Sequence, residues 1–288
     1  MHIKILGSAA DGGFPKLNCA CRNCSRLRAG TFQGKQRTQT QIAFSPMPDV
    51  WFLIGASPDL REQLLATREF CSPQSPEHSP IAGVFLPNAE VASVAGLLHL
   101  RGLQNHFVFA TPAVQRILKN ENRIFKAIDR ADAPVQWQPL ALRRRIGCHL
   151  SENAGDPPTF FYTTSSMGGD FPEYASEDVK RNCPPDDASI GLLLEQENKK
   201  LFIAPSISGG NLDWLKSAAS ADVALLDGTL PLGGPEGLLG QYPQDAHGRK
   251  ILVHLKHNDP VLDESSNEHR AATDAGFEIA EDGMDIQL

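Results

Sequence analysis

The sequence predicts an α/β protein in which two β-sheets are flanked by helices. Short apolar segments that are typical of strands recur along the whole chain. Some of these segments follow one another directly, as in hairpins, whereas others precede segments with helical signals. Because hydrophobic residues make up 41% of the 288 positions, the chain can bury a substantial core. We therefore expect two packed sheets with helices on the outside.

The predicted strands are short runs rich in aliphatic and aromatic residues. In chain order they are IKILG, TQIAF, WFLIGA, IAGVFLP, HFVFAT, TFFYTT, SIGLLLEQE, KKLFIAP, VALLDG, KILVHL and FEIAEDGMDIQL. Residues 151–188 contain the turn-forming stretches GDPP, SSMGGDFP and CPPDD. Because strands resume on both sides, we expect long loops there rather than an interdomain linker.

Helices are expected at SPDLREQLLAT, EVASVAGLLHL, PAVQRILK, NLDWLKSAA and SNEHRAATDAG. The first has Ser57 as its N-terminal cap, Pro58 at the first helical position and Glu62 in its early turns. The last ends at Gly276, a residue type that commonly terminates helices. These signals predict where both helices begin and end.

Composition argues against two classes of partner. The formal net charge is −7, and the densest basic stretch, LRRRIG, is too short to follow a phosphate backbone, so we interpret it as a solvated strand edge or turn. The chain contains no run of 18 apolar residues, and its first residues, MHIKILGSAADGG, lack the features of a signal peptide. We expect a cytoplasmic protein that binds neither nucleic acid nor membrane.

Three cysteines are clustered in the stretch NCACRNC. Cys19, Cys21 and Cys24 have the spacing C-x-C-x2-C. A reducing cytosol disfavours disulfides, and the C-x-x-C pair lies on a Gly/Pro/Asn-rich segment rather than at a strand-to-helix junction typical of redox enzymes. Three thiolates from one loop suit tetrahedral Zn²⁺, which would need a fourth ligand from elsewhere. Three unligated surface thiols are the alternative.

Several segments carry a resemblance to a known family. They are IKILGSAADGGFPKLNCACRNC, QRTQTQIAF, LIGASPDLREQL, GLLHLR, SIGLLLE, LFIAPSIS, LLDGTL, NDPVLDE and EDGMDIQL. In order and spacing they resemble the pyrroloquinoline quinone biosynthesis protein B family from end to end. The resemblance implies the metallo-β-lactamase superfamily and its αββα sandwich, with metals at strand ends between the two sheets. It also implies a single domain over residues 1–288.

The cysteine loop is similar to that of a related branch, the phosphodiesterases of phosphonate metabolism. In that branch three cysteines and a histidine from a late H-x-x-H motif hold a structural zinc. The stretch VHLKHNDP places His254 and His257 in this pattern, and the resemblance implies His257 as the fourth zinc ligand. A solvated loop imidazole is the alternative for His257.

The superfamily's main metal motif, H-x-H-x-D-H, is altered. The matching stretch is FLPNAEVASVAGLL, in which Asn88, Glu90, Ala92 and Ser93 occupy the four ligand positions. Alanine cannot bind a metal, and serine is a poor zinc ligand. A two-metal hydrolytic centre needs more ligands than this stretch offers, so we do not expect dinuclear hydrolysis.

Other positions of the superfamily site persist. By the resemblance, Asp59 matches the first acidic position, Asp227 the bridging carboxylate and His254 the last histidine, and these are the candidate catalytic residues. With Asn88 and Glu90 they would form a divergent mononuclear site suited to Fe²⁺ or Mn²⁺. Each also has a structural interpretation: helix capping for Asp59, support of a turn for Asp227, and a core position for His254.

The resemblance implies a role in synthesis of pyrroloquinoline quinone or a related peptide-derived cofactor. Its partner would be a small-molecule or modified-peptide intermediate that is anionic and aromatic. The family is associated with transport of the cofactor and with metal-dependent oxidation of a tyrosine-derived precursor, so carrier and oxygenase both remain open. A non-catalytic paralogue acting in protein interaction is the alternative. Neither substrate nor oligomeric state follows from the sequence.

Overall fold

A computed structural model of the chain describes residues 1–71, 79–102, 106–128, 135–150, 155–208, 213–231, 233, 237–243 and 246–288. The strands in this part are β1 (His2–Gly7), β2 (Gln41–Met47), β3 (Val50–Ile54), β4 (Ile81–Phe85), β5 (Phe107–Ala110), β6 (Gln136–Pro139), β7 (Arg145–Cys148), β8 (Phe160–Ser166), β9 (Ile190–Gln196), β10 (Lys199–Ala204), β11 (Val223–Asp227), β12 (Arg249–Val253), β13 (Phe277–Ile279) and β14 (Met284–Gln287).

Short helices connect the strands. The α-helices are α1 (Arg22–Arg28), α2 (Leu60–Leu65), α3 (Val91–Val94), α4 (Pro112–Gln115), α5 (Glu177–Asn182), α6 (Trp214–Ala219), α7 (Leu238–Gln241) and α8 (Asn267–Asp274). The 3₁₀ segments are Arg68–Phe70, Ala95–Gly102, Arg123–Ile128, Pro185–Asp187 and Pro260–Leu262, and a π-helical segment covers Arg116–Glu121. None of the helices in the described ranges has the length and apolar character needed to cross a bilayer.

The described strands form two sheets of seven strands each. One has the order β14-β1-β2-β3-β4-β5-β6 and the other β13-β12-β11-β10-β9-β8-β7. In the first sheet β1, β2 and β3 pair antiparallel, and β3 to β6 pair parallel. The second sheet repeats this division, with β7 to β10 antiparallel and β10 to β13 parallel. Parallel pairs require crossovers, which place helices outside the sheets.

Side chains alternate between two apolar layers along the strands. In β3, Phe52 and Ile54 belong to the core between the sheets, whereas Trp51 and Leu53 pack with the helices outside the first sheet. In β10, Phe202 likewise faces a third apolar cluster outside the second sheet. Three apolar layers separate four layers of secondary structure. The predicted αββα sandwich of the metallo-β-lactamase type is thereby confirmed.

The predicted elements differ from the structure in several details. The first predicted helix begins at Leu60 with Asp59 rather than Ser57 at its N-terminal cap, because the Ser57 hydroxyl accepts the N–H of Asp59 in a turn before the helix. The last predicted strand segment, 277–288, forms two strands that belong to different sheets. Strands β6 and β7 were not predicted as such, although β7 carries part of LRRRIG and lies at a sheet edge, as expected for that basic stretch.

Aromatic rings fill the space between the sheets. Phe85 is fully buried and stacks on Phe109 with ring centroids 4.2 Å apart and an interplanar angle of 8°. It also meets Tyr162 of the opposite sheet edge to face at 5.4 Å. Phe44 makes a similar edge contact with Phe160 across the interface at 5.4 Å. Such contacts fix the distance between the sheets, and hence between the loops at their ends.

We expect Phe85→Ala to lower the free energy of unfolding by about 3–5 kcal/mol, because it leaves a cavity between the sheets. Leu65→Ala is the matched control, since Leu65 is 58% exposed on α2, and its effect should stay within about 0.5 kcal/mol. Urea unfolding followed by circular dichroism measures both. A loss below about 1 kcal/mol for Phe85→Ala would contradict the assigned packing.

Candidate functional site

The three clustered cysteines lie on a loop that leads from β1 into α1. The loop turns at Gly12, Gly13 and Asn18, whose φ values of 85°, 70° and 53° lie in the left-handed region that glycine and asparagine tolerate best. Cys21 is the N-terminal cap of α1, and its sulfur accepts the N–H of Cys24. The local chain therefore folds so that the cysteines converge at the start of one short helix.

His257 completes this group, which we call the loop cluster: Cys19, Cys21, Cys24 and His257. The His257 Nδ1 atom lies 3.6 Å from Cys19 Sγ, 3.5 Å from Cys21 Sγ and 3.7 Å from Cys24 Sγ. All four donor atoms lie within 4.8 Å of one another. A tetrahedral ion with Zn–S of about 2.3 Å and Zn–N of about 2.05 Å separates its sulfur and nitrogen ligands by about 3.5 Å. The cluster matches this spacing.

Backbone N–H groups point at the sulfurs. Lys16 N donates to Cys24 Sγ at 3.4 Å, and Cys21 N donates to Cys19 Sγ at 3.4 Å. Burial would raise the pKa of Cys21, but the N–H of Cys24 and the ring of His257 lower it to about 6. Burial and the neighbouring sulfurs instead raise the pKa of Cys24 to about 11. Three adjacent thiolates repel one another, so a cation is needed to hold all three ionised.

Both segments that carry the cluster are held by further hydrogen bonds. Ala10 N donates to Leu255 O at 2.8 Å, and Leu255 N donates to Ser8 O at 3.0 Å. The Asn23 amide donates to the carbonyl of Asp259 at 2.8 Å, two residues beyond His257. These contacts fix the loop after β1 against the loop after β12. The donor atoms are therefore preorganised, as expected of a structural metal site.

A second feature is a small pocket at the strand ends between the sheets, which we call the inter-sheet pocket. Its lining comes from segments that follow β1, β3, β4, β10 and β12, and it includes Ala92, Ser93 and His254. Its volume is about 20 Å³. A cavity of about 10–15 Å³ holds one water, whereas drug-sized ligands occupy about 300–1,000 Å³. The pocket lies where the resemblance places the superfamily's metals.

Two predicted catalytic carboxylates are engaged with their own surroundings. Asp227 is 3% exposed, and its two carboxylate oxygens accept the N–H groups of Ile207 and Thr229, each at 2.8 Å. Burial raises the pKa of Asp227, while His254 acts in the opposite direction. Asp59 accepts the backbone N–H of Gln39 at 2.8 Å and also contacts its amide. The contact of Asp227 with Thr229 fits its interpretation as support of a turn, whereas Asp59 stands at the N-terminal cap position of α2 without making a side-chain capping bond.

Asn88 and Glu90, the two predicted ligands of the altered motif, have different environments. Asn88 is buried, and its side-chain oxygen accepts the N–H of Glu90 at 3.0 Å in the turn before α3. Glu90 is exposed, and burial of part of its side chain together with the charges of Asp11 and Glu173 raises its pKa. Of these three carboxylates, Asp11 lines the inter-sheet pocket, and its negative charge disfavours the expected anionic ligand.

The structure brings one of the two predicted metal sets together. Among the described residues, the loop cluster is the one group of three or more His, Cys, Asp or Glu side chains arranged to hold a metal ion. His257 joins the cysteines, whereas His254 lines the inter-sheet pocket. The second predicted set is not gathered in this way, since Asp59 and Asp227 are hydrogen bonded to other groups. That set is Asp59, Asn88, Glu90, Asp227 and His254.

Sequence analysis missed other residues of the inter-sheet pocket. Asp11, Gln39 and Ser206 line it together with His254. Asp11 precedes two glycines in a turn, a pattern that predicts a loop but not its neighbours. Gln39 and Ser206 carry no local signal, because their approach depends on how the two sheets pack.

Comparisons with known proteins agree with this fold. A family model described as a beta-lactamase superfamily domain matches residues 50–231. A coenzyme PQQ synthesis protein B of Methylorubrum extorquens is 32% identical over 310 aligned positions, and that of Azotobacter vinelandii is 32% identical over 312. In both cases all of this chain and all of the relative are covered.

Solved structures give the same result. The Zn²⁺-bound PqqB from Methylobacterium extorquens has a TM-score of 0.88 and 31% identity, with both chains covered completely. A diphosphatase from the PhnP family has a TM-score of 0.65 and 17% identity, covering 100% of this chain and 97% of that one, and this likeness concerns the fold alone. With full-length identity above 30% and a shared fold, the chain belongs to the coenzyme PQQ synthesis protein B family of the β-lactamase superfamily.

Proposed function

We propose that the loop cluster holds one structural Zn²⁺ through Cys19, Cys21, Cys24 and His257. Three thiolates and one imidazole are a common donor set of structural zinc. The distances of 3.5–3.7 Å between Nδ1 and the sulfurs support the proposal, as does the zinc in the related PqqB structure. Four protein ligands leave no open position for water, so this zinc stabilises the fold rather than acting on a substrate.

The zinc would link two distant parts of the chain. Cys19 and His257 are separated by 238 positions. A metal that binds only the folded state stabilises that state by about 4 kcal/mol when its free concentration is a thousand times its Kd. The same link holds the loop after β1 and the loop after β12, which both contribute to the inter-sheet pocket.

We propose that the chain acts in synthesis of coenzyme PQQ or of a related peptide-derived cofactor. The observation that carries this proposal is the end-to-end likeness to coenzyme PQQ synthesis protein B at 32% identity. The partner would be a small-molecule or modified-peptide intermediate. The same proposal includes a cytoplasmic location, which the free cysteines support. It also includes one domain over residues 1–288, which is supported by a core that joins strands from both halves of the chain.

Two modes of action remain as candidates within this function. Metal-dependent oxidation of a tyrosine-derived precursor would need Fe²⁺ or Mn²⁺ at Asp59, Asn88, Glu90, Asp227 and His254. The bonds of Asp59 and Asp227 to Gln39 and to backbone N–H groups favour a carrier instead. A carrier of this kind could act in export of the cofactor, which is the transport role.

A non-catalytic role in protein interaction is the second candidate function. The volume of about 20 Å³ favours it, because a quinone-sized intermediate does not fit into the inter-sheet pocket in this conformation. Val91, which is 58% exposed, is adjacent in the chain to Ala92 of the pocket wall.

We expect purified protein to contain about one zinc per chain, and Cys21→Ser to lose it together with several degrees of melting temperature, since the stabilising metal is gone. Cys71→Ser is the matched control, because Cys71 is an exposed free cysteine outside the cluster. Metal analysis by mass spectrometry and thermal unfolding measure both. Unchanged zinc in Cys21→Ser would refute the site.

Comparing two histidine variants identifies the fourth zinc ligand. His257→Ala should lower zinc affinity, because it removes the nitrogen that lies 3.5 Å from Cys21 Sγ. His254→Ala should keep its zinc. Competition with a chromophoric chelator measures both affinities. The reverse result, with zinc lost in His254→Ala and kept in His257→Ala, would exchange the two assignments.

We expect expression of this chain to restore PQQ production in a bacterium that lacks its own coenzyme PQQ synthesis protein B. The reason is that the chain shares its fold and about a third of its residues, over its full length, with coenzyme PQQ synthesis protein B. PQQ in the medium is measured by mass spectrometry, with an empty vector as control. Soluble, zinc-loaded protein that restores no PQQ would contradict this function and favour the protein-interaction candidate.

A further inference from the structure

Two residues of the altered metal motif and His254 line the same pocket. Ala92 and Ser93 line the inter-sheet pocket together with His254. Positions 92 and 93 therefore match the superfamily's metal-ligand positions both in the sequence and in their place in the fold. The side chains at these two positions are a methyl group and a hydroxyl, neither of which holds a transition metal.

The remaining donors near the pocket are committed elsewhere. Asp227 uses one oxygen for each of two backbone N–H groups, so binding a metal would require it to share or break those bonds. Asp59 is bonded to Gln39, which itself lines the pocket. Among the lining residues, the imidazole of His254 and the exposed carboxylate of Asp11 are the groups that transition metals prefer. Two such donors do not make a tight site.

We infer that the inter-sheet pocket of this chain holds water where its superfamily holds a transition metal. The volume of about 20 Å³ suits one water molecule. The lining residues Ser93, Ser206 and His254 provide the two to four polar neighbours that such a water needs. The fold family's metal does not fit this donor set.

Measuring the number of bound metal ions tests this inference. The result of that test does not depend on whether the chain supports PQQ synthesis. Zinc-loaded protein is dialysed against Fe²⁺ without oxygen, against Mn²⁺ and against Zn²⁺, and bound metal is measured by mass spectrometry. We expect about one ion per chain, retained in His254→Ala. A second tightly bound ion in the natural sequence, lost in His254→Ala, would overturn the inference.

Restoring ligands provides the second arm. The double variant Ala92→Asp with Ser93→His adds a carboxylate and an imidazole to the wall shared with His254, and we expect it to bind a second ion with at least tenfold higher affinity than the natural sequence. The matched control Ala92→Ser with Ser93→Ala should not. Adding His254→Ala to the first variant should abolish the second ion.

Cobalt reports which site is filled. Co²⁺ bound by thiolates absorbs strongly in the near ultraviolet, whereas Co²⁺ bound by nitrogen and oxygen does not. A second ion without this absorption in the double variant supports the inference. A folded double variant that gains no ion would overturn the assignment of the missing metal to residues 92 and 93.

Discussion

The convergence of three thiols on one imidazole is the constraint on which the functional end of the molecule depends. It joins the loop after β1 to the loop after β12, and the backbone bonds between Ala10 and Leu255 continue this junction. The inter-sheet pocket is built from the same two segments, since Ala10 and Asp11 form one part of its wall and His254 another. The geometry of the pocket therefore depends on a cluster that does not itself face it.

The sandwich explains why both features lie at one end. Parallel strands send their loops to the same edge of a sheet, and the two sheets present these edges together. The aromatic stack around Phe85 and Tyr162 then fixes how far apart the opposing loops stand. The scaffold supplies positions, whereas the residues at those positions decide the chemistry. With Ala92 and Ser93 in the wall, the same fold presents a small cavity that lacks ligands at two of the superfamily's metal positions.

Much of this organisation follows from the sequence. The cysteine spacing predicts a metal loop, and short apolar runs predict most strands, because both signals are local. The pairing of His257 rather than His254 with the cysteines came from resemblance, not from spacing. Strand β6 went unpredicted, because its sequence QWQP has little apolar character and lies at a sheet edge. The contacts of Gln39 and Ser206 depend on sheet packing, which no local pattern encodes.

The fate of Asp227 shows why a surviving ligand residue does not imply a surviving metal site. A buried carboxylate needs either a cation or hydrogen-bond donors to remain ionised. The backbone N–H groups of Ile207 and Thr229 donate to its two oxygens at 2.8 Å and offset part of the effect of burial, which still raises the pKa of Asp227. These donors stabilise the carboxylate without a cation, so the aspartate has a structural role that does not depend on a metal. An aspartate held in this way persists for structural reasons, whether or not a metal is still bound beside it.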